Sequence, residues 1–235
     1  MSKTRKDAGR FCFLLGTAIA TSVAWAAAQS PATPLEQRVK MHVRVYDYAD
    51  VPPKVLATAE AQADMIFRDA RVDVTWENLT PPKDPSQAKP VDPHPAGSAG
   101  IDLRLARRFA GATRMVRHDA MGFAVPPDTA AISLEWVEEF ASLGIAEEYQ
   151  VLGAAMAHEI GHLFLGPNSH SPAGIMRAGW KEQDLLEASQ ARLTFTADQA
   201  RHFRTEVRHR QEQQESAVAL QRAGIAASPD SVPVK

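Results

Sequence analysis

Cysteine is almost missing from this chain: its 235 residues hold one, Cys12, and that one lies inside an apolar N-terminal run. The absence excludes a disulfide framework, so a domain built from the remainder must be held together by its hydrophobic core. Charge of either sign is not in excess, with 26 Lys and Arg against 28 Asp and Glu and a formal net charge of −2. The basic surface that marks a nucleic-acid binder is therefore not there. Long apolar runs are also lacking beyond residue 28, and none could span a membrane.

The N-terminal run has its own logic. Lys3, Arg5, Lys6 and Arg10 precede the apolar stretch Phe11 to Ala24, and the small residues Ala26-Ala27-Ala28 precede Gln29. This is the layout of a cleaved secretory signal over residues 1–28, with cleavage expected after Ala28 or Ala26. An uncleaved anchor is the rival reading, weakened by the many Ala and Thr residues of the stretch. Cleavage would remove Lys3, Arg5, Lys6, Arg10 and Asp7 and take the net charge from −2 to −5. The expectation is a secreted or periplasmic protein with no stable membrane insertion. It would have a short lead-in at 29–38, one domain at 39–210 and a polar, flexible tail at 211–235 that frays from Ser228 to Lys235.

Within the domain, Val39 to Tyr48 alternates Val39, Met41, Val43 and Val45 with Lys40, His42 and Arg44, the period of a strand with one buried face. Pro52-Pro53 opens a helical run through Ala70, and Val72 to Trp76 reads as a second strand, so a right-handed crossover between parallel neighbours is expected. Leu79 to Gly100 carries Pro81, Pro82, Pro85, Pro90, Pro93 and Pro95 and reads as a loop. Asn78-Leu79-Thr80 matches a glycosylation acceptor, a common tripeptide that matters only in a host that glycosylates exported proteins. Strands follow at Ile101 to Leu105, at Gly122 to Val125, whose proline boundary fits a sheet edge, and at Ala130 to Trp136. Glu147 to Leu165 reads as a central buried helix ended by Gly166 in a left-handed cap and by Pro167. Thr196 caps a last helix with Ala197, Ala200, Phe203 and Val207 on one face.

The chemistry is concentrated in the run from His158 to Met176, HEIGHLFLGPNSHSPAGIM. On a helix, His158 and His162 are four residues apart and lie on one face, where both can bind a single metal ion. Glu159 stands beside them, placed to take a proton from water. Catalytic zinc usually has three protein ligands, leaving its fourth position to a water whose pKa falls to about 7. Structural histidines in a core helix are the competing reading, but polar side chains clustered on an apolar helix need compensation, which a metal supplies. Spacing leaves the third ligand open. His170 follows Gly166-Pro167-Asn168-Ser169, residues that permit a chain reversal, while Glu182 and Glu187 are candidates if a downstream glutamate completes the site.

This segment resembles the metzincin clan of zinc endopeptidases, whose signature is HExxHxxGxxH followed by a methionine-containing turn. His158, Glu159 and His162 match by position; Gly166 comes one residue late and His170 two, with Asn168 at the strictly aligned place. His170-Ser171 is similar to the HS pair of matrixins, and Gly174-Ile175-Met176 to a close Met-turn. The resemblance implies an α+β fold with an α/β-like N-terminal part. Its features would be a mixed twisted sheet with an edge strand over the cleft, a central active-site helix, a Met-turn and a C-terminal helix. It further implies one catalytic zinc ion on His158, His162 and His170, Glu159 as general base and acid, and a peptide or protein substrate. Gly122 to Val125 would then pair with the substrate backbone, Met176 would pack beneath the ligands, and Trp180 and Leu185 would line a specificity pocket.

Two other readings belong to different classes: a zinc-stabilised binding module without turnover, and a zinc amidase acting on a non-peptide amide. A structural zinc site is more often closed by four protein ligands, which sets the module against the catalytic readings. No cysteine outside the signal is available to cap the metal, and Ala28 to Val39 leaves no room for a sizeable prodomain. The enzyme would be exported active or restrained by a separate inhibitor protein.

Overall fold

The computed structural model describes residues 38–82, 92–109 and 121–222, all within the unit spanning residues 32–235. The expected signal at 1–28, nearly all of the lead-in and the fraying end at Ser228 to Lys235 lie outside the described residues. Among these residues the elements run in the order β1 (Val39–Asp47), α1 (Pro53–Asp69), β2 (Val72–Leu79), β3 (Ala99–Ala106), β4 (Gly122–Val125), β5 (Thr129–Ser133), α2 (Leu134–Ala141), α3 (Glu148–Leu165), α4 (Glu182–Ser189) and α5 (Ala197–Arg222). The five strands form one sheet in the order β2-β1-β3-β5-β4. Pairing is parallel throughout except for β4, which runs antiparallel to β5 at the edge.

The β1-α1-β2 segment is the expected parallel crossover, with Val39 opposite Val72 and Tyr46 opposite Leu79. Helix α1 starts at Pro53, whose fixed φ and missing N–H suit a first turn. It buries Leu56, Ala59, Gln62, Ala63, Ile66 and Phe67 against the core. At Gly153 of α3 an added Cβ would come within 2.5 Å of the Ala59 carbonyl oxygen, so glycine there is what allows α1 and α3 to lie so close. Fourteen of the eighteen residues of α3 are buried, from Val151 through Phe164. It is the central helix that its apolar composition predicts.

Three expectations need correction. Strand β1 buries the expected face, and its polar face is largely covered as well: His42 and Arg44 are only 7% and 8% exposed, because the chain around His94 lies over that side of the sheet. The strand expected over Ala130 to Trp136 ends at Ser133, and Leu134 to Ala141 is helical, with Leu134 and Val137 buried one turn apart. The polar tail expected from 211 is helical to Arg222. Its glutamines bind backbone: Gln211 donates to the Lys40 and Gly97 carbonyls and Gln214 to that of His94. A polar face that appeared to be solvated is in part a row of hydrogen bonds to loop carbonyls. The Thr196 cap does form, reinforced by Gln199, whose amide oxygen accepts from the Thr196 N–H.

No helix among the described residues is long and apolar enough to cross a membrane.

Candidate metal centre

Helix α3 carries His158 and His162 one turn apart, and the chain reverses after Leu165 to bring back His170. Nε2 of His162 stands 3.1 Å from Nε2 of His158 and 3.1 Å from Nε2 of His170. Among the described residues these three form the one group of His, Cys, Asp or Glu side chains whose ligand atoms converge, all within 4.8 Å of one another. Glu182 and Glu187 stay out of it: Glu182 is exposed on α4, and Glu187 takes a hydrogen bond from Gln183. Asn168 is exposed at the tip of the turn.

The far side of each helical imidazole explains why the near side is bare. His158 Nδ1 lies 2.7 Å from the Ile175 carbonyl oxygen, and His162 Nδ1 lies 3.2 Å from that of Gly166 and 3.1 Å from Ser169 Oγ. A carbonyl only accepts, so both Nδ1 atoms carry the proton and both Nε2 atoms present lone pairs to the common point. The Ser169 hydroxyl donates to the Gly166 carbonyl at 2.7 Å, which turns its own lone pairs toward the His162 N–H. Bare nitrogens facing one another at this distance repel unless a cation lies between them. Tetrahedral zinc at about 2.0–2.1 Å from each imidazole nitrogen separates its ligand nitrogens by roughly 3.3 Å, close to what is observed. The donor set fits zinc.

Burial enforces the same protonation. It pulls the His158 imidazole down to about 3, with smaller pushes from His162 and His170, against the opposing hydrogen bond to Ile175. His162 is lowered too, chiefly by burial. Neutral imidazoles are the form that ligates. Burial alone pushes the Glu159 carboxyl up to about 8, and a dication at the histidine focus opposes that shift by favouring the carboxylate.

The turn beneath the histidines is tightly built. Met176 is fully buried, and an added Cβ on Gly161 would lie 2.5 Å from its sulfur, so the glycine between the two ligands is what lets methionine pack against the helix. Gly166 has φ +95° and ψ 166°, a positive-φ ending outside the left-handed helical well expected of its cap. The two residues of extra spacing to His170 are taken up in a Gly166 to Ser169 turn, closed by a 3.3 Å bond from the Ser169 N–H to the Gly166 carbonyl. Glu159 meets the sheet edge: an added Cβ on Gly122 of β4 would lie 2.7 Å from its Cγ.

Trp180 and Leu185 sit differently from the pocket lining expected of them. Leu185 is wholly buried. The Trp180 ring stands edge-on to His158 at 5.8 Å, and its N–H donates at 3.2 Å to the same Ile175 carbonyl that takes the His158 proton. Trp180, Ser169, Gly161 and Gly122 all serve the site; the sequence marks Trp180 as a pocket liner, Ser169 as part of the reversal and Gly122 as the start of the edge strand, and it leaves Gly161 without a role. A glycine inside the motif and a serine just before the third histidine were the available signals.

A second histidine cluster occupies the other face of the sheet. His42 Nδ1 and His94 Nδ1 are 2.8 Å apart, and the Arg44 guanidinium reaches His94 Nε2 at 2.7 Å, Asp102 Oδ1 at 2.8 Å and the Asp92 carbonyl at 2.7 Å. Glu77 stands 3.4 Å from His42 Nε2. Arg44 only donates, so His94 Nε2 accepts, His94 Nδ1–H donates to His42 Nδ1, and the remaining His42 N–H faces Glu77. Gly100 makes room for this: an added Cβ there would lie 2.2 Å from the His94 ring.

No protein-family model matches the chain, and no curated protein matches it in sequence. Among solved structures it is similar to a zinc-dependent peptidase from Methanocorpusculum labreanum (strain Z), with 17% sequence identity and a TM-score of 0.42, over 68% of this chain and 99% of that one. The chemistry that follows stands on the side chains, not on this distant likeness.

Proposed function

We propose that this protein is an exported, metzincin-like zinc endopeptidase. The observation that carries the reading is the convergence of three imidazole Nε2 atoms, those of His158 and His162 held bare by their Nδ1 partners, beside a buried carboxylate, Glu159. His158, His162 and His170 would hold the ion through Nε2, and zinc held there would supply Lewis acidity to acidify water and polarise a carbonyl. Glu159 accepts one proton from the attacking water while the water oxygen bonds to the scissile carbon. It then delivers that proton to the amide nitrogen as the C–N bond breaks, so the same carboxyl is base and then acid. No covalent bond to the protein forms. Gly122 lets β4 lie against Glu159, and the edge strand offers its backbone to a peptide running antiparallel to it.

Three protein donors support turnover over a purely structural role, since structural zinc is more often enclosed by four. The N-terminal layout supports export, and the expected partners are a peptide or protein substrate and a separate inhibitor protein if the enzyme is restrained. Glu159→Gln tests the reading: bound zinc is retained while hydrolysis of a peptide library falls about 10²–10⁴-fold, the usual worth of a positioned base. Full activity in that variant removes Glu159 from the reaction. Wild-type cleavage of small non-peptide amides, with the peptide library untouched, would point to an amidase.

A further inference from the structure

The last turn of α3 leaves a carbonyl that the helix cannot satisfy. The Leu163 oxygen would normally accept from the residue four further on, but that residue is Pro167, which has no N–H. The donor comes from α5 instead: Arg210 Nη2 bonds the Leu163 carbonyl. The same guanidinium donates through Nη1 to the Pro127 carbonyl at 2.6 Å and lies 4.1 Å over the Phe164 ring. Pro127 belongs to the turn joining β4 to β5, where Val125 faces Thr129. One side chain therefore ties the end of the metal helix, one residue past His162, to the hairpin whose Gly122 lies against Glu159.

We propose that Arg210 is a positioning residue that holds the β4–β5 hairpin against α3, and so sets where the sheet edge stands for a peptide backbone. The inference rests on the peptidase reading. The planar fork is what the task requires, because two carbonyls on different elements are held at once. Lysine, a single ammonium, cannot reproduce it.

Helix α5 supplies its own control. Arg204 donates in the same manner to the Ala70 carbonyl at 2.9 Å, bracing the end of α1 and not the hairpin. Arg210→Met and Arg204→Met keep much of the apolar stem and are compared as full-length, zinc-loaded proteins. For Arg210→Met the expected result is one bound zinc per chain and a KM for peptide raised about tenfold with kcat little changed, the mark of lost binding common to ground and transition states. Arg210→Lys stays impaired, whereas Arg204→Met loses thermal stability at an unchanged KM. Amide hydrogen exchange across the β4 and β5 pairing gives a readout independent of turnover, accelerating about tenfold in Arg210→Met and not in Arg204→Met. Equal KM and equal exchange in the two methionine variants would overturn the proposal. Absence of any peptide cleavage by wild type would instead overturn the peptidase reading, and the exchange comparison would still decide whether Arg210 holds the hairpin.

Discussion

Two clusters of imidazoles lie among the described residues, and their separations are similar: 3.1 Å between the ring nitrogens of His158 and His162, 2.8 Å between those of His42 and His94. Their partners are opposite in kind. Around α3 the outer nitrogens face acceptors, the carbonyls of Ile175 and Gly166, so protons are held outward and lone pairs converge. On β1 the ring nitrogens face Arg44, each other and Glu77, and every one is occupied. The first arrangement turns its lone pairs toward a common point that suits a cation, whereas in the second a cation already sits beside His94, the Arg44 guanidinium. Histidine density is therefore a poor guide to a metal site, and the group behind each ring is the better one.

The comparison can be broken most forcefully at a ligand. His162→Gln is expected to abolish zinc binding and with it peptide hydrolysis, whereas His94→Phe leaves both intact; zinc titration and a peptide assay on the two variants check this. Next in size is Arg44→Met, which strands Asp102 without its main partner. Removing one member of a largely buried pair costs about 3–5 kcal/mol at the upper end, and urea unfolding should show that loss with zinc affinity unchanged. Smaller again is Ser169→Ala, which strips the hydroxyl from the His162 N–H. The expected weakening of zinc is about 10–100-fold, typical of groups that orient a ligand, while the unfolding midpoint of the metal-free protein barely moves.

The smallest effect is electrostatic. Burial, and then proximity to His94, lowers the pKa of His42 below its ordinary value. A folded-state value below the unfolded one means that the unfolded chain takes up the proton first, so stability is lost as pH falls below about 6.5 toward the folded value. In metal-free protein, His42→Phe should flatten the fall in urea midpoint between about pH 7.5 and 5.5 relative to wild type. An unchanged slope would mean that the His42 ring does not titrate with folding.

Much of this was legible in the chain. The i, i+4 histidines fix one helical face, and the apolar residues around them require a central helix, which α3 is. The parallel crossover and the edge position of Gly122 to Val125 followed from periodicity and proline. Less legible were features whose cause lies far along the chain. His42 and Arg44 alternate like solvent-facing residues, and only the return of the chain at His94 buries them. Gln211 and Gln214 look like a solvated tail until the carbonyls of Lys40, Gly97 and His94 are brought to them. Leu134 and Trp136 continue the apolar pattern of the preceding strand, yet the chain turns helical after Ser133, whose hydroxyl donates to the Arg107 carbonyl. The longer spacing to His170 could not be resolved from residue types alone, because it depends on the Gly166 to Ser169 turn.

The central claim is that the metal belongs to His158, His162 and His170 and not to His42 and His94. Native mass spectrometry of metal-stripped protein with added zinc, on wild type, His170→Ala and the His42→Phe/His94→Phe double variant, tests it most directly. His170 is exposed, so its replacement does not threaten the core. The account predicts one zinc per chain for wild type and for the double variant, with occupancy lost or sharply weakened in His170→Ala. Full occupancy in His170→Ala, or loss of zinc in the double variant, would contradict it.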